Sequence, residues 1–248
     1  MTGVRSLDKK TKHNFIQGIF FVLLVSLTIY ILLQSPIFDV RKIEIVGRKN
    51  LAKEELVSLS GVSLGSNIFK QNLHIGEEKI SLLPLVKDAR INRKFPSTVV
   101  ITVTERKAAA LLPYKKGFIE VDREGVYLQK GELNSLSLPI ITGVVIGELH
   151  PGQRVKAEKT FTALEVINKL PPELPNRLSE VHVDNENKVN IYTIDGIQGR
   201  LGLPENINKK GKLFLQVLTQ INEEEIIYID ITSDKPVIKY ATMPGEAT

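Results

Sequence analysis

The sequence predicts an α+β protein in three parts: a single N-terminal transmembrane helix, a β-α-α-β-β unit, and a β-rich domain with two packed helices. Three observations carry that prediction. Residues 15–33 contain no charged side chain. Residues 38–106 place two alternating strand patterns after a strand and two helical stretches. Residues 118–241 mix short strands and turn signals with two amphipathic stretches.

The apolar run from Phe15 to Leu33 comes first. At about 1.5 Å per residue it reaches roughly 28 Å, close to the hydrocarbon thickness of a bilayer. A helix is the single-segment way to satisfy every backbone amide in that solvent. Phe15, Leu24, Tyr30 and Leu33 are read as anchor residues, with Tyr30 near one end, where an amphipathic ring suits the interface. A cleaved signal peptide fits less well: the run exceeds the usual apolar core, and Gln34-Ser-Pro-Ile-Phe38 offers no small-x-small cleavage site. Before the run, residues 1–14 carry Arg5, Lys9, Lys10 and Lys12 against Asp8 alone. Residues 34–40 hold no Lys or Arg. The positive-inside rule therefore predicts a cytoplasmic N-terminus and an extracytoplasmic bulk, a single-pass type II arrangement.

Composition narrows the chemistry. With 42% hydrophobic and 25% charged residues, the 248-residue chain is ordinary globular material outside the anchor. It has no cysteine, which excludes disulfides, Cys-based zinc sites and thiol nucleophiles. The net charge of +5 resides mostly in the tail before the anchor. No Lys/Arg block interleaved with aromatics appears, so nucleic acid is not an expected partner.

In the first exported unit, residues 38–107, Phe38 to Val46 alternates as a strand with Ile43 and Ile45 on one face. Asn50 is the expected N-cap of a helix through Leu59, with Leu56 and Leu59 inward and Gly61 ending it. Asn72 to Leu83 is a second helix with Leu73, Ile80 and Leu83 apolar. Leu85–Arg93 and Thr98–Arg106 are strands joined across Lys94-Phe-Pro96-Ser97, and Val99, Ile101 and Val103 share one face. Ala108-Ala-Ala-Leu-Leu112 reads as the close of this unit, and a second domain is expected over residues 113–241.

That second domain opens with Phe118–Val121, a turn at Asp122-Arg-Glu-Gly125, and Val126–Leu128. Residues 131–139 read as loop and Leu138–Thr142 as a short strand. A helix over Lys156–Leu170 presents Phe161, Leu164 and Ile167, and Pro171-Pro172 ends it. Glu180–Asp184 and Lys188–Thr193 form a hairpin, continued through Asp195-Gly196 into Ile197–Leu201. The clearest helix follows, with Lys210, Leu213, Phe214, Val217, Leu218 and Ile221 on one stripe. Ile226–Ile231 and Val237–Ala241 are the closing strands, and residues 242–248 are expected to be disordered.

Catalytic motifs are absent. None of His13, His74, His150 and His182 is read as having a His or Glu partner at helical zinc-binding spacing, and each is expected at the surface. No metal or cofactor is expected. There is no Gly-x-Ser-x-Gly, P-loop or Gly-x-Gly-x-x-Gly. Glu120, Asp122 and Glu124 alternate along a strand and turn, a pattern that wall-cleaving enzymes with paired carboxylates could use. The turn itself explains Asp122 and Gly125 more simply, and Glu223-Glu-Glu225 reads as a solvated loop.

Several stretches carry a resemblance. Phe38-Asp-Val-Arg-Lys-Ile-Glu-Ile-Val-Gly47 resembles the strand that opens the POTRA unit of the FtsQ/DivIB family of bacterial cell-division proteins. Val86 to Arg106, a strand, a Phe95-Pro96 turn and a strand ending in Glu-Arg, is similar to that unit's hallmark. Ile119-Glu-Val-Asp-Arg-Glu-Gly125 resembles the turn opening the family's β domain, and Arg200-Leu-Gly202 with Tyr228-Ile-Asp-Ile231 resembles its C-terminal part. Tyr240 stands where the last strand often carries Trp.

The resemblance implies a POTRA-like first unit and a non-enzymatic divisome scaffold. Its implied partners are FtsL-type and FtsB/DivIC-type bitopic proteins and the septal peptidoglycan synthase complex. A terminal strand leaves one row of backbone groups free, so Val237, Ile238, Lys239 and Tyr240 are the expected strand-addition site. A membrane-tethered wall hydrolase using Glu120 and Asp122, or a POTRA-bearing secretion component, are the alternatives.

Overall fold

A computed structural model describes residues 5–132, 138–220, 226–233 and 235–240. Two compact units emerge, residues 1–81 with 88–104, and residues 82–87 with 105–248.

The first unit begins with helix α1 (Arg5–Leu33), which extends the apolar run back through the cationic segment. Its stretch Asn14–Leu33 is long and apolar enough to cross a membrane. Phe15, Leu24, Tyr30 and Leu33 are all exposed along it. Beyond it come β1 (Lys42–Val46), α2 (Lys53–Ser60), α3 (Leu73–Ser81), β2 (Val86–Lys94) and β3 (Thr98–Glu105). The sheet order is β1-β3-β2, with β1 parallel to β3 through the pairs Ile43–Val99 and Ile45–Ile101. Two helices between β1 and β2 allow β1 to return beside β3, since a parallel neighbour needs a crossover.

Leu56, Ile68, Ile80, Val99, Ile101 and Val103 fill this core. α2 and α3 touch at Gly76, where a Cβ would lie 2.4 Å from the Ser60 carbonyl oxygen. The α2 N-cap is Ala52 rather than Asn50, and no side chain caps it. The buried Leu51 just before it sets where the helix starts, and Glu54 and Glu55 supply first-turn charge. Gly61 ends α2 at φ 67°, while Leu59 and Leu83 are only half-buried. Pro96 follows a cis peptide bond in the turn between β2 and β3.

The second unit is a nine-stranded mixed sheet in the order β12-β11-β10-β9-β8-β7-β4-β5-β6. Its strands are β4 (Ala108–Tyr114), β5 (Gly117–Asp122), β6 (Tyr127–Gly131), β7 (Ile140–Thr142), β8 (Leu178–Val183), β9 (Val189–Thr193), β10 (Gln198–Gly202), β11 (Ile226–Asp230) and β12 (Val237–Tyr240). Helices α4 (Glu158–Lys169) and α5 (Ile207–Gln220) lie in the β7-to-β8 and β10-to-β11 connections, and both strand pairs are parallel. The antiparallel neighbours are joined more directly, as their geometry permits.

Ala108–Leu112, expected to close the first unit, is instead the strand beside which the second sheet is assembled. It pairs with β5 on one side and, through Leu111–Ile140, with β7 on the other. The core lies under one face of this sheet, where Leu164, Ile167, Phe214 and Leu218 meet Val181, Ile191, Leu201 and Ile229. Phe214 packs over Gly199 on β10, where a Cβ would sit 2.7 Å from the ring. Lys210 stays on the apolar stripe of α5 because its ammonium donates to the carbonyls of Leu201 (2.6 Å) and Leu203 (3.0 Å). Ile221, Glu223–Glu225 and residues 242–248 lie outside the described residues.

Candidate partner-docking edge

A sheet ends in two edges, and the two here differ. β6 is paired beyond β5 at its first residue, where Tyr127 donates its amide to Gln153 and accepts from Gly152, and just before it Val155 donates to Gly125. That segment occupies backbone groups that would otherwise face outward. β12 pairs with β11 on one side, and no described strand lies on the other.

Side-chain direction along β12 follows the two-residue period. Ile238 stands opposite the buried Ile229 and packs against the core. Tyr240 shares its side of the sheet, opposite the buried Ile226, yet is 46% exposed. Val237 and Lys239 belong to the other face, opposite Asp230 and Tyr228, and Val237 is 61% exposed. A register shift between Ile226 and Tyr228 leaves Ile227 exposed.

That outer face carries a row Glu180, Tyr192, Gln198, Tyr228, Lys239, and beside it His182, Asn190, Arg200, Asp230, Val237. The Arg200 guanidinium lies 3.9 Å over the Tyr228 ring, and the Lys239 ammonium 5.8 Å from its centre. These contacts tie the outer rim of three strands together without burying the charges. Further in, Thr142 hydrogen-bonds with Glu180 and with His182 Nδ1.

The carboxylates weighed as catalytic groups face different partners. Glu120 is buried, accepts from Gln129 Nε2 at 3.1 Å, and has its pKa raised by burial. Asp122 accepts the amides of Glu124 and Val126, both at 2.9 Å, while Gly125 closes the turn at φ 79° with its own amide on the Asp122 carbonyl. Arg106 Nη1 reaches Asp122 at 2.6 Å and Glu124 at 2.8 Å, and Arg106 Nε donates to the Val86 carbonyl. These contacts make Asp122 a turn-forming group. Two open cavities of about 610 and 660 Å³ in this unit are lined by neither Glu120 nor Asp122.

His74, read as lacking a helical carboxylate partner, has Glu77 and Glu78 one turn on, with Nε2 3.2 Å from Glu78 on an exposed surface. Among the described residues no group of three or more His, Asp or Glu could hold a metal.

Glu124 has its pKa lowered to about 2, first by the Lys87 hydrogen bond at 2.6 Å and then by Arg106. A depressed carboxylate adds stability above its ordinary range and loses it as pH falls toward the folded value. Wild-type stability should therefore decline between about pH 4.5 and pH 2 more steeply than that of Glu124→Gln, measured by urea denaturation. Parallel pH profiles for the two proteins would remove Glu124 from the acid response.

A five-element β-α-α-β-β unit after a membrane-length helix, followed by a mixed nine-stranded sheet with two helices, is the architecture of a POTRA domain joined to a β domain. Residues 38–106 match the FtsQ-type POTRA domain, and residues 110–232 match the C-terminal domain of cell division protein FtsQ/DivIB. The chain belongs to the FtsQ/DivIB family of cell-division proteins. It is 28% identical over 242 residues to cell division protein DivIB of Clostridium botulinum (strain Loch Maree / Type A3), covering 94% of each chain. To cell division protein FtsQ of Syntrophotalea carbinolica it is 28% identical over 216 residues, covering 84% of this chain and 75% of the relative. The major extracytoplasmic domain of the trans isomer of Geobacillus stearothermophilus DivIB aligns with 48% of this chain and 99% of its own, at 14% identity and a TM-score of 0.34.

Proposed function

We propose that this protein is a non-enzymatic scaffold of the division machinery, anchored by α1 with its N-terminus in the cytoplasm and acting at the septum. Its role is to hold FtsL-type and FtsB/DivIC-type bitopic proteins and so help regulate septal peptidoglycan synthesis. The observation that supports this reading best is the outer side of β12, where no described strand pairs. An extended segment added to β12 would gain main-chain hydrogen bonds, with Val237 and Tyr240 offering apolar area on opposite faces. The domains proposed for this role are residues 38–107 for docking near the membrane and 108–241 for the partner edge.

The test is binding of the purified full chain to a co-reconstituted FtsB/DivIC-type partner. Tyr240→Ala should weaken binding by about 1–3 kcal/mol if the ring anchors the incoming strand. Unchanged affinity for Tyr240→Ala and for Val237→Pro, with both variants folded by circular dichroism, would move the interface away from β12.

A further inference from the structure

Three phenylalanines of the first unit stack at its surface, with Phe38 half-buried beneath the exposed Phe69 and Phe95. The Phe38 and Phe69 ring centres lie 5.1 Å apart, and Phe69 and Phe95 lie 5.3 Å apart. Phe69 is 39% and Phe95 56% exposed, and Ile37 and Leu64 nearby in the chain are also exposed. Aromatic rings of this size ordinarily bury most of their area, and a rigid exposed group of them marks a contact surface.

The stack is tied to the end of α1. Only Gln34 and Ser35 separate Leu33 from the short 3-10 turn Pro36–Phe38. Asn67 Nδ2 donates to the Leu33 carbonyl at 2.8 Å, and the Asn67 side-chain oxygen accepts the Phe69 amide at 3.0 Å. The Ile68 amide donates to the Phe38 carbonyl at 2.8 Å. Arg93 holds the same loop through the carbonyls of Ile68 (2.8 Å) and Gln71 (2.7 Å). Five residues reach at most about 18 Å when extended, and these hydrogen bonds shorten that reach. The polar zone beyond the hydrocarbon is itself only about 5–8 Å deep on each side. Exposed Arg41, Lys70 and Lys94 flank the rings in the chain, against Asp39, which is half-buried, and Glu44 paired with Lys94.

We infer that Phe38, Phe69 and Phe95 form a second membrane contact, seated in the lipid headgroup region of the bilayer that α1 spans, with the flanking cations facing anionic headgroups. The inference rests on α1 being a membrane anchor. Aromatic rings favour that interface, and basic side chains beside them add attraction to acidic lipid. The contact would fix the first unit against the membrane surface instead of leaving it to swing on α1.

The chain contains no Trp, so a single introduced Trp reports its own surroundings. Full-length protein carrying Leu24→Trp, Phe69→Trp, Phe95→Trp or Val46→Trp would be reconstituted in phosphatidylcholine–phosphatidylglycerol vesicles with and without brominated acyl chains. A ring about 5–10 Å into the headgroup–acyl boundary shifts its emission to the blue and loses intensity to bromine. The expected result is quenching at positions 24, 69 and 95 and none at 46, which lies at the far end of β1. Quenching at 24 without quenching at 69 and 95 overturns the contact while leaving the anchor intact. Equal quenching at 46 also overturns it, because the aromatic stack would then not be the contact. No quenching at 24 sinks the anchor reading, and the contact with it.

Discussion

Replacing Arg106 with alanine should destabilise the second unit by about 3 kcal/mol, the lower end of what breaking a buried ion pair costs. The guanidinium is largely buried, and Asp122 beside it is more so. Without Arg106 the Asp122 carboxylate keeps two backbone amides but loses its counter-charge, and the Val86 carbonyl loses a donor. For a unit of this size the melting temperature should fall by roughly 6–12 °C. Arg106→Lys should recover only part of the loss, because an ammonium cannot hold both carboxylates and a carbonyl in one planar fork. Calorimetry checks both variants. A change below about 1 kcal/mol for Arg106→Ala would mean that the cluster behaves as an ordinary surface ion pair.

The second large effect lies under β10, where Phe214 packs on Gly199. Phe214→Ala should cost about 3–5 kcal/mol, the loss expected for a fully buried aromatic. Gly199→Ala should cost about 1–3 kcal/mol by overpacking, since its new methyl would meet the Phe214 ring at 2.7 Å and Ile191 at 2.8 Å. The two changes share one space. The double variant should therefore be more stable than the sum of the single losses predicts, by at least about 1 kcal/mol. Strict additivity in urea denaturation would show that the glycine is not there to admit the ring.

What the sequence made legible was whatever depends on local period. The charge-free run to Leu33, the alternation of Val99, Ile101 and Val103, and the stripe of Phe214, Val217 and Leu218 each need only a few neighbouring residues to be read. β4 was not legible for the same reason. Ala108-Ala-Ala-Leu-Leu alternates in nothing, and its strand state is set by β5 and by Ile140 almost thirty residues away. Pro113 also argues locally against a strand, yet it faces only β5, in a stretch with no described neighbour on its other side.

The edge itself was partly readable. The two faces of Val237–Tyr240 follow from strand period, but two features do not. The register shift beside Ile227, and the stacking of Arg200 and Lys239 on Tyr228, join residues from three strands. The pairing of Gly152 and Gln153 with Tyr127 at the start of β6 was equally out of reach.

The spatial order of the sheet also has a bearing on how the protein is made. From β7 to β12 each strand lies beside the one synthesised just before it, so the sheet is laid down outward in the direction of translation. The surface offered at β12 is completed last, after every strand it rests on is in place. A polypeptide interrupted before Val237 ends its sheet on β11, with Ile227 exposed and Tyr240 missing. Unfinished chains of this kind differ from finished ones at the edge where a partner would dock, so assembly at that edge would discriminate between them without a separate proofreading step.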